Sequence, residues 1–304
     1  MYAAPQSQTL DVENFRPLAQ LIPAHWQSGD MQSPDGIHLH YTRTGAGEGK
    51  SAVVLLHGIQ ALGLMWLRVA QALEPNYDVI MPDCRAHGQS GGTERGFSAR
   101  LLVNDMAALI AALELDRPLI VGHSMGAEIA GRLAALNTIP IRGVVLVDPA
   151  LQSFTPMTDA GMATPPWLEA IMAIMRALKD LSHEERLREG LKLLPPGTTV
   201  TNESDYVSLI EGMAQFDQSA FQFVNNMSYL FKEPQTIKNI ASPLLLMTAR
   251  PTYPGANTGP GLAAFQKNWH HGQHIHFDNS GHFIPFEQYE AFMVALTRFF
   301  AEQN

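Results

Sequence analysis

Five residues, Gly122-His123-Ser124-Met125-Gly126, constrain this chain more than any others. They fit the pattern G-x-S-x-G and stand between an apolar run at 119–121 and a stretch of helix formers at 126–136. A strand that turns straight into a helix forces the serine backbone into a strained conformation and pushes its hydroxyl outward. Side chains two positions before and after the serine would collide, so glycine is required at both places. The N-terminus of the following helix also favours negative charge beside the hydroxyl. Ser124 is therefore the candidate nucleophile. The plain alternative is a glycine-rich strand–helix turn with no chemistry.

The hydrophobic pattern gives that turn a setting. Two short segments, 25–31 and 37–44, flank an Asp35-Gly36 turn and read as a hairpin. Residues 52–56 (AVVLL) form a continuous apolar run, as in a strand buried on both faces. Helix 64–73, strand 78–81, helix 98–115, strand 119–121, helix 126–136 and strand 143–147 then alternate. Such alternation implies parallel crossovers and an α/β sheet covered on both faces. From 149 to 234 it stops. Helical stretches are expected at 167–181, 184–194, 205–216 and 219–231, punctuated by Pro165-Pro166 and Pro195-Pro196-Gly197. A strand at 243–247, a helix at 261–269, a strand at 274–277 and a closing helix at 286–300 complete the chain. A length of 304 residues suits one large α/β domain carrying an insertion.

A serine hydroxyl needs a base to take its proton. Of twelve histidines, His282 stands out, in a loop between the last strand and the last helix. Sites in open α/β sheets collect at the carboxyl ends of strands. His57-Gly58 follows the buried strand 52–56, where a loop can aim a backbone N–H at an acyl oxygen. The amides of Ile59 and Met125 are the candidate oxyanion hole. His57 reads as a brace for that loop rather than a proton carrier. His57, Gly58, His123, Trp167 and Phe221 are the candidate substrate contacts.

The ordered motifs His57-Gly58, Asp83-Cys84-Arg85-Ala86-His87-Gly88-Gln89-Ser90, Gly122-His123-Ser124-Met125-Gly126 and Gly281-His282-Phe283 resemble the α/β-hydrolase fold family from about residue 25 onward. The resemblance implies an eight-stranded, mostly parallel sheet and a cap after the sixth strand. Residues 25–149 and 235–304 then form the core, 150–234 the helical cap, and 1–24 a polar N-terminal arm. Ala86 departs from the glycine usual in the family. The acid that orients the histidine usually follows the seventh strand, yet 248–257 holds no Asp or Glu. A minority of the family places it after the sixth strand, where Asp148 stands 24 positions beyond Ser124. Asp148 is the candidate acid, its plain alternative a loop-capping residue. Asp278 and Glu287 flank His282 and read as structural.

Composition excludes several other functions. The net charge of -9 argues against a nucleic-acid partner. No apolar run reaches the ~18–20 residues of a membrane span. Cys84 is the single cysteine, so no intramolecular disulfide is available, and it reads as a small buried residue. The N-terminal stretch lacks a basic and an apolar region, so a cytoplasmic address is the default expectation. His274 and His276 share a strand face, but without ligands at a recognised spacing they read as a polar face, not a metal site. Glu128 and Arg132 are expected as a surface pair.

The expected activity is hydrolysis of a carboxylic ester or lactone through an acyl-enzyme on Ser124. No cofactor is expected, and the chain is expected as a monomer or homodimer. The methionines and aromatics of 150–234 lean towards an apolar or aromatic small molecule. C–C bond hydrolysis, amide hydrolysis or acyl transfer would use the same residues. A small-molecule receptor on the same scaffold, with little turnover, is the reading from another class, and a non-catalytic interaction protein is a third.

Overall fold

The computed structural model describes residues 12–45, 49–150, 166–194, 198–226, 233–250, 259–269 and 272–303. Its frame is an eight-stranded sheet in the order β1-β2-β4-β3-β5-β6-β7-β8. The strands are β1 (Gln27–Gln32), β2 (His38–Arg43), β3 (Ser51–Leu56), β4 (Tyr77–Pro82), β5 (Leu119–His123), β6 (Gly143–Val147), β7 (Leu244–Ala249) and β8 (Gln273–Phe277). The β1–β2 and β2–β4 pairs are antiparallel and every other pair is parallel. The expected α/β class and eight-stranded sheet are therefore present. Strands β5, β6 and β7 are buried along their whole length, as runs such as GVVLV require when helices cover both faces.

Register decides where chemistry can gather. Leu56 pairs with Gly122, His123 with Val147, and Val147 with Met247. The carboxyl ends of β3, β5, β6 and β7 therefore lie level. The loops that leave them, at residues 57, 124, 148 and 250, open at one edge of the sheet.

Local chemistry sets the helix starts. Ser98 accepts the Leu101 N–H at the head of helix Ala99–Ala112. Ser182 and Glu185 form a reciprocal capping box before helix His183–Gly190. Asn202 accepts the Ser204 and Asp205 N–H groups before helix Glu203–Gln215. Some expected elements differ. The 64–73 stretch begins as a 3-10 turn, Gly63–Trp66, before helix Leu67–Leu73. The stretch expected as a helix at 219–231 is a 3-10 segment, Gln218–Asn226, and 227–232 lie outside the described residues. The closing helix is two pieces, Ile284–Glu287 and Tyr289–Glu302, because Gln288 leaves helical geometry at φ -132° and ψ 46°.

The helices between β6 and β7 pack onto the core beside the level strand ends. A Cβ at Gly212 would stand 2.7 Å from the Ala61 Cα, so helix Glu203–Gln215 lies directly on the loop after β3. The residues of the expected arm also dock here. The Phe15 ring meets Tyr206 edge-on, Arg16 pairs with Glu203, and His183 donates to the Phe15 carbonyl. Val12 and Leu21 are buried, so this part of the arm is strapped to helices 183–215 rather than free. Among the described residues no helix is long and apolar enough to cross a membrane.

Arg68 joins these two layers. It lies over the Tyr289 ring at 3.5 Å and contacts Asp205 at 3.3 Å. Burial pushes Asp205 up to about 7 from 3.8, against the pull of Arg68. Between those pH values the unfolded chain has released this proton while the folded chain keeps it. Stability therefore falls as pH rises from about 4 to about 7, and the loss is complete above that. Asp205→Asn is expected to shrink the drop in unfolding midpoint between pH 4.5 and pH 8. An unchanged drop in the variant would show that Asp205 does not carry it.

Candidate active site

Ser124 sits at the tip of a strand-to-helix elbow. Its φ of 54° and ψ of -115° lie outside the regions an L-residue ordinarily occupies. The turn holds because neighbouring backbone leaves no alternative. A Cβ at Gly122 would come 2.6 Å from the Ala127 nitrogen, and one at Gly126 would come 2.6 Å from the Leu56 carbonyl carbon. The Ser124 N–H donates to the Val147 carbonyl at 2.9 Å, tying the elbow to the end of β6.

Asp148 is the next residue along. It is buried, at 1% exposure, and its φ of 43° turns the chain sharply away from the sheet. One carboxylate oxygen, Oδ1, accepts the Ala249 N–H at 3.1 Å. The other, Oδ2, accepts from His282 Nδ1 at 2.6 Å. Ser124 and Asp148 stand at the level ends of β5 and β6, and the His282 loop reaches Asp148 there. Ser124 and His282 keep partial exposure while Asp148 has almost none.

The His282 ring rests on His123, with centroids 4.6 Å apart, and on Phe283 at 5.6 Å. His123 donates from Nε2 to the His282 carbonyl at 2.8 Å, while its Nδ1 is buried without a hydrogen-bond partner among the described residues. Burial first, then the neighbouring His282, holds His123 well below the usual imidazole range, so it stays neutral.

The loop after β3 is fixed by two more neutral imidazoles. His57 donates from Nδ1 to the Gly58 carbonyl at 2.7 Å and accepts the Cys84 N–H on Nε2 at 2.9 Å. His87 donates from Nδ1 to the Arg85 carbonyl and accepts the Gln60 N–H on Nε2 at 3.1 Å. Burial lowers the affinity of both rings for a second proton. His57 therefore braces this loop, and both its ring nitrogens are engaged by backbone. Ile59 lies between the two residues so held. Gly58 packs close to Ser124, since a Cβ there would be 3.2 Å from the Ser124 Cβ. Met125 opens helix Met125–Leu136, and its N–H has no acceptor within the helix.

Of the remaining candidates, Phe221 stacks edge-on against Phe216, which packs on His87. An aromatic path thus runs from residues 216–221 down to the loop after β3. The side chain of Trp167 lies outside the described residues. Cys84 is buried, and burial raises its thiol far from the thiolate. Asp278 is exposed and lies 3.6 Å from His276, on the far side of β8 from Asp148 in sequence. His274 and His276 both meet the Thr248 hydroxyl at 2.8 Å. Glu128 is buried rather than on the surface, and Arg132 grips Glu233.

Sequence reasoning passed over His87, although it stands inside the quoted 83–90 stretch. That stretch is scaffold throughout. Asp83 accepts the Gly63 and Gln89 N–H groups, and Arg85 is locked between Asp105 and Asp35. Ala86 has a φ of 66°, a left-handed geometry that costs an L-residue roughly 1–2 kcal/mol and glycine almost nothing.

Comparison with known proteins sets this geometry in context. N-formylmaleamate deformylase from Pseudomonas putida is 36% identical over 141 residues, covering 46% of this chain. The chain spans about half of that relative, 51% of its length. A carboxylesterase from Bacillus subtilis has the same fold with a TM-score of 0.69 at 15% identity, over 93% of this chain and 94% of that one. The enol-lactonase from Burkholderia xenovorans gives a TM-score of 0.61 at 21% identity, over 90% and 100%. At those identities the structural likeness speaks for the fold. The model of the alpha/beta hydrolase family matches residues 53–295, from β3 to the last helix. On the sheet and elbow described above, this chain belongs to the α/β-hydrolase family.

Proposed function

We propose that the chain is a serine hydrolase that cleaves a carboxylic ester or lactone of an apolar or aromatic small molecule. The observation that carries this reading is the 2.6 Å contact from His282 Nδ1 to Asp148, beside the strained elbow of Ser124. With Nδ1–H given to the carboxylate, Nε2 of His282 keeps its lone pair and is the accepting nitrogen of the ring. It takes the Ser124 proton as the oxygen attacks the carbonyl carbon. The tetrahedral oxyanion rests on the amide of Ile59, in the loop that His57 and His87 brace, and on that of Met125, at the head of the helix after Ser124. His282 then protonates the leaving alkoxide, which departs as the alcohol. Water, deprotonated by His282, attacks the acyl-enzyme, and collapse of the second intermediate returns the proton to Ser124 and frees the acid. Pre-set donors of this kind are worth about 3–4 kcal/mol each in the transition state.

The test is a fluorophosphonate probe followed by mass spectrometry. A covalent adduct on Ser124 is expected in the wild-type protein and none in Ser124→Ala. Folded wild-type protein that stays unlabelled, or carries the adduct elsewhere, sinks the reading. Amide hydrolysis by the same residues is the second reading, supported by the likeness to the deformylase. Product analysis with an N-formyl amide beside an aryl ester and a lactone separates the two.

A further inference from the structure

His282 is gripped by more than Asp148. The Glu287 carboxylate turns back one helical turn, and its Oε2 accepts the Gly281 N–H at 2.6 Å. The Glu287 N–H also donates to the Phe283 carbonyl at 2.9 Å, so Glu287 engages the residues on both sides of His282. His123 holds the remaining backbone group, donating to the His282 carbonyl at 2.8 Å. Those contacts account for the backbone on either side of the ring.

The second Glu287 oxygen, Oε1, is buried and has no hydrogen-bond partner among the described residues. An anionic oxygen left so is costly unless a positive charge lies close by. His282, the residue after the Gly281 amide that Glu287 holds, is the neighbour that becomes positive during proton transfer. Burial raises the Glu287 proton affinity, while the Gly281 and Phe283 amides, His282 and Arg250 draw it down.

We propose that Glu287 and His123 are positioning residues for His282, holding its backbone from two sides, and that Glu287 supplies the imidazolium with a second anion beside Asp148. The inference rests on the reading of His282 as general base. It assigns no contact with substrate to Glu287. A misplacement of about 1 Å at a catalytic group can cost on the order of 10²-fold in rate, so a grip on three consecutive residues has kinetic weight.

The charged and titratable groups around the His282 ring are Asp148 at the end of β6, His123 at the end of β5 and Glu287 on the following helix, with Arg250 at the end of β7 acting on Glu287. Glu287→Gln keeps an oxygen for the Gly281 N–H and removes the charge. Glu287→Ala removes both. His123→Phe keeps a ring and removes the donor. Two readouts are taken on full-length folded protein. One is the pH profile of fluorophosphonate labelling at Ser124. The other is the titration midpoint of the His282 ring by ¹⁵N-histidine NMR, its signal assigned by loss in His282→Asn.

Loss of a neighbouring anion disfavours imidazolium, so in Glu287→Gln both midpoints are expected to move down by about half a pH unit. The labelling rate is expected to fall about threefold in Glu287→Gln and about tenfold or more in Glu287→Ala. For His123→Phe we expect about a tenfold loss in kcat with a p-nitrophenyl ester and KM within about twofold. Midpoints and rates equal to wild type in both Glu287 variants would overturn the proposal. Unlabelled wild-type protein whose His282 midpoint still moves in Glu287→Gln would sink the serine mechanism and leave the Glu287–His282 coupling standing.

Discussion

Asp148→Asn is expected to lower kcat by about 10⁴ while the protein stays folded. The reason lies in how the two carboxylate oxygens are used. Oδ1 accepts the Ala249 N–H and Oδ2 accepts from His282. An asparagine has one acceptor oxygen and one donor nitrogen. The buried Ala249 amide must keep an acceptor, so the asparagine oxygen goes there and its NH₂ faces His282. That group donates to Nδ1 and forces the ring proton onto Nε2. The nitrogen that should accept the Ser124 proton is then already protonated. Folding should survive, because asparagine tolerates the 43° φ of this position at least as well as aspartate. The checks are steady-state kinetics and a thermal unfolding midpoint. A tenfold loss or less in folded protein would mean that another group orients His282.

The elbow was legible in the sequence because its cause is local. Glycines two residues either side of Ser124 answer to backbone that any strand–helix turn of this kind brings close. The sheet was legible for a similar reason, since runs such as AVVLL and GVVLV suit strands buried on both faces. Asp148 could be found by counting strands, because register places the residue after β6 next to the residue after β5. Glu287 could not. Its role depends on a short helix that folds its carboxylate back onto Gly281, and no spacing rule encodes that return. The docked arm was hidden too. Val12, Phe15 and Leu21 are too sparse in a polar stretch to show periodicity, yet Val12 and Leu21 are buried and Phe15 meets Tyr206. Glu128 and Arg132 misled in the opposite way. Spacing of four predicts a surface pair, but the helix turns Glu128 inward.

Gly126→Ala is expected to cost far more stability than a methyl group added at a glycine with open space around it. The new Cβ would lie 2.6 Å from the Leu56 carbonyl carbon and 2.8 Å from the His57 oxygen. Both are backbone atoms, so no side chain can swing aside. Retreat of the helix would pull Ser124 from its bond to Val147, and retreat of β3 would break the Leu56–Gly122 pairing. The expected loss exceeds about 4 kcal/mol, the range in which single substitutions report a backbone or core clash. Gly36→Ala is the control. Its φ of 87° is unfavourable to alanine, but nothing lies within 4 Å of the added carbon. Strain alone then acts, at roughly 1–2 kcal/mol. Soluble yield and unfolding midpoint distinguish the two variants. If Gly126→Ala is soluble and melts as close to wild type as Gly36→Ala does, the packing of helix Met125–Leu136 against β3 does not set the elbow, and the steric account of Ser124 fails with it.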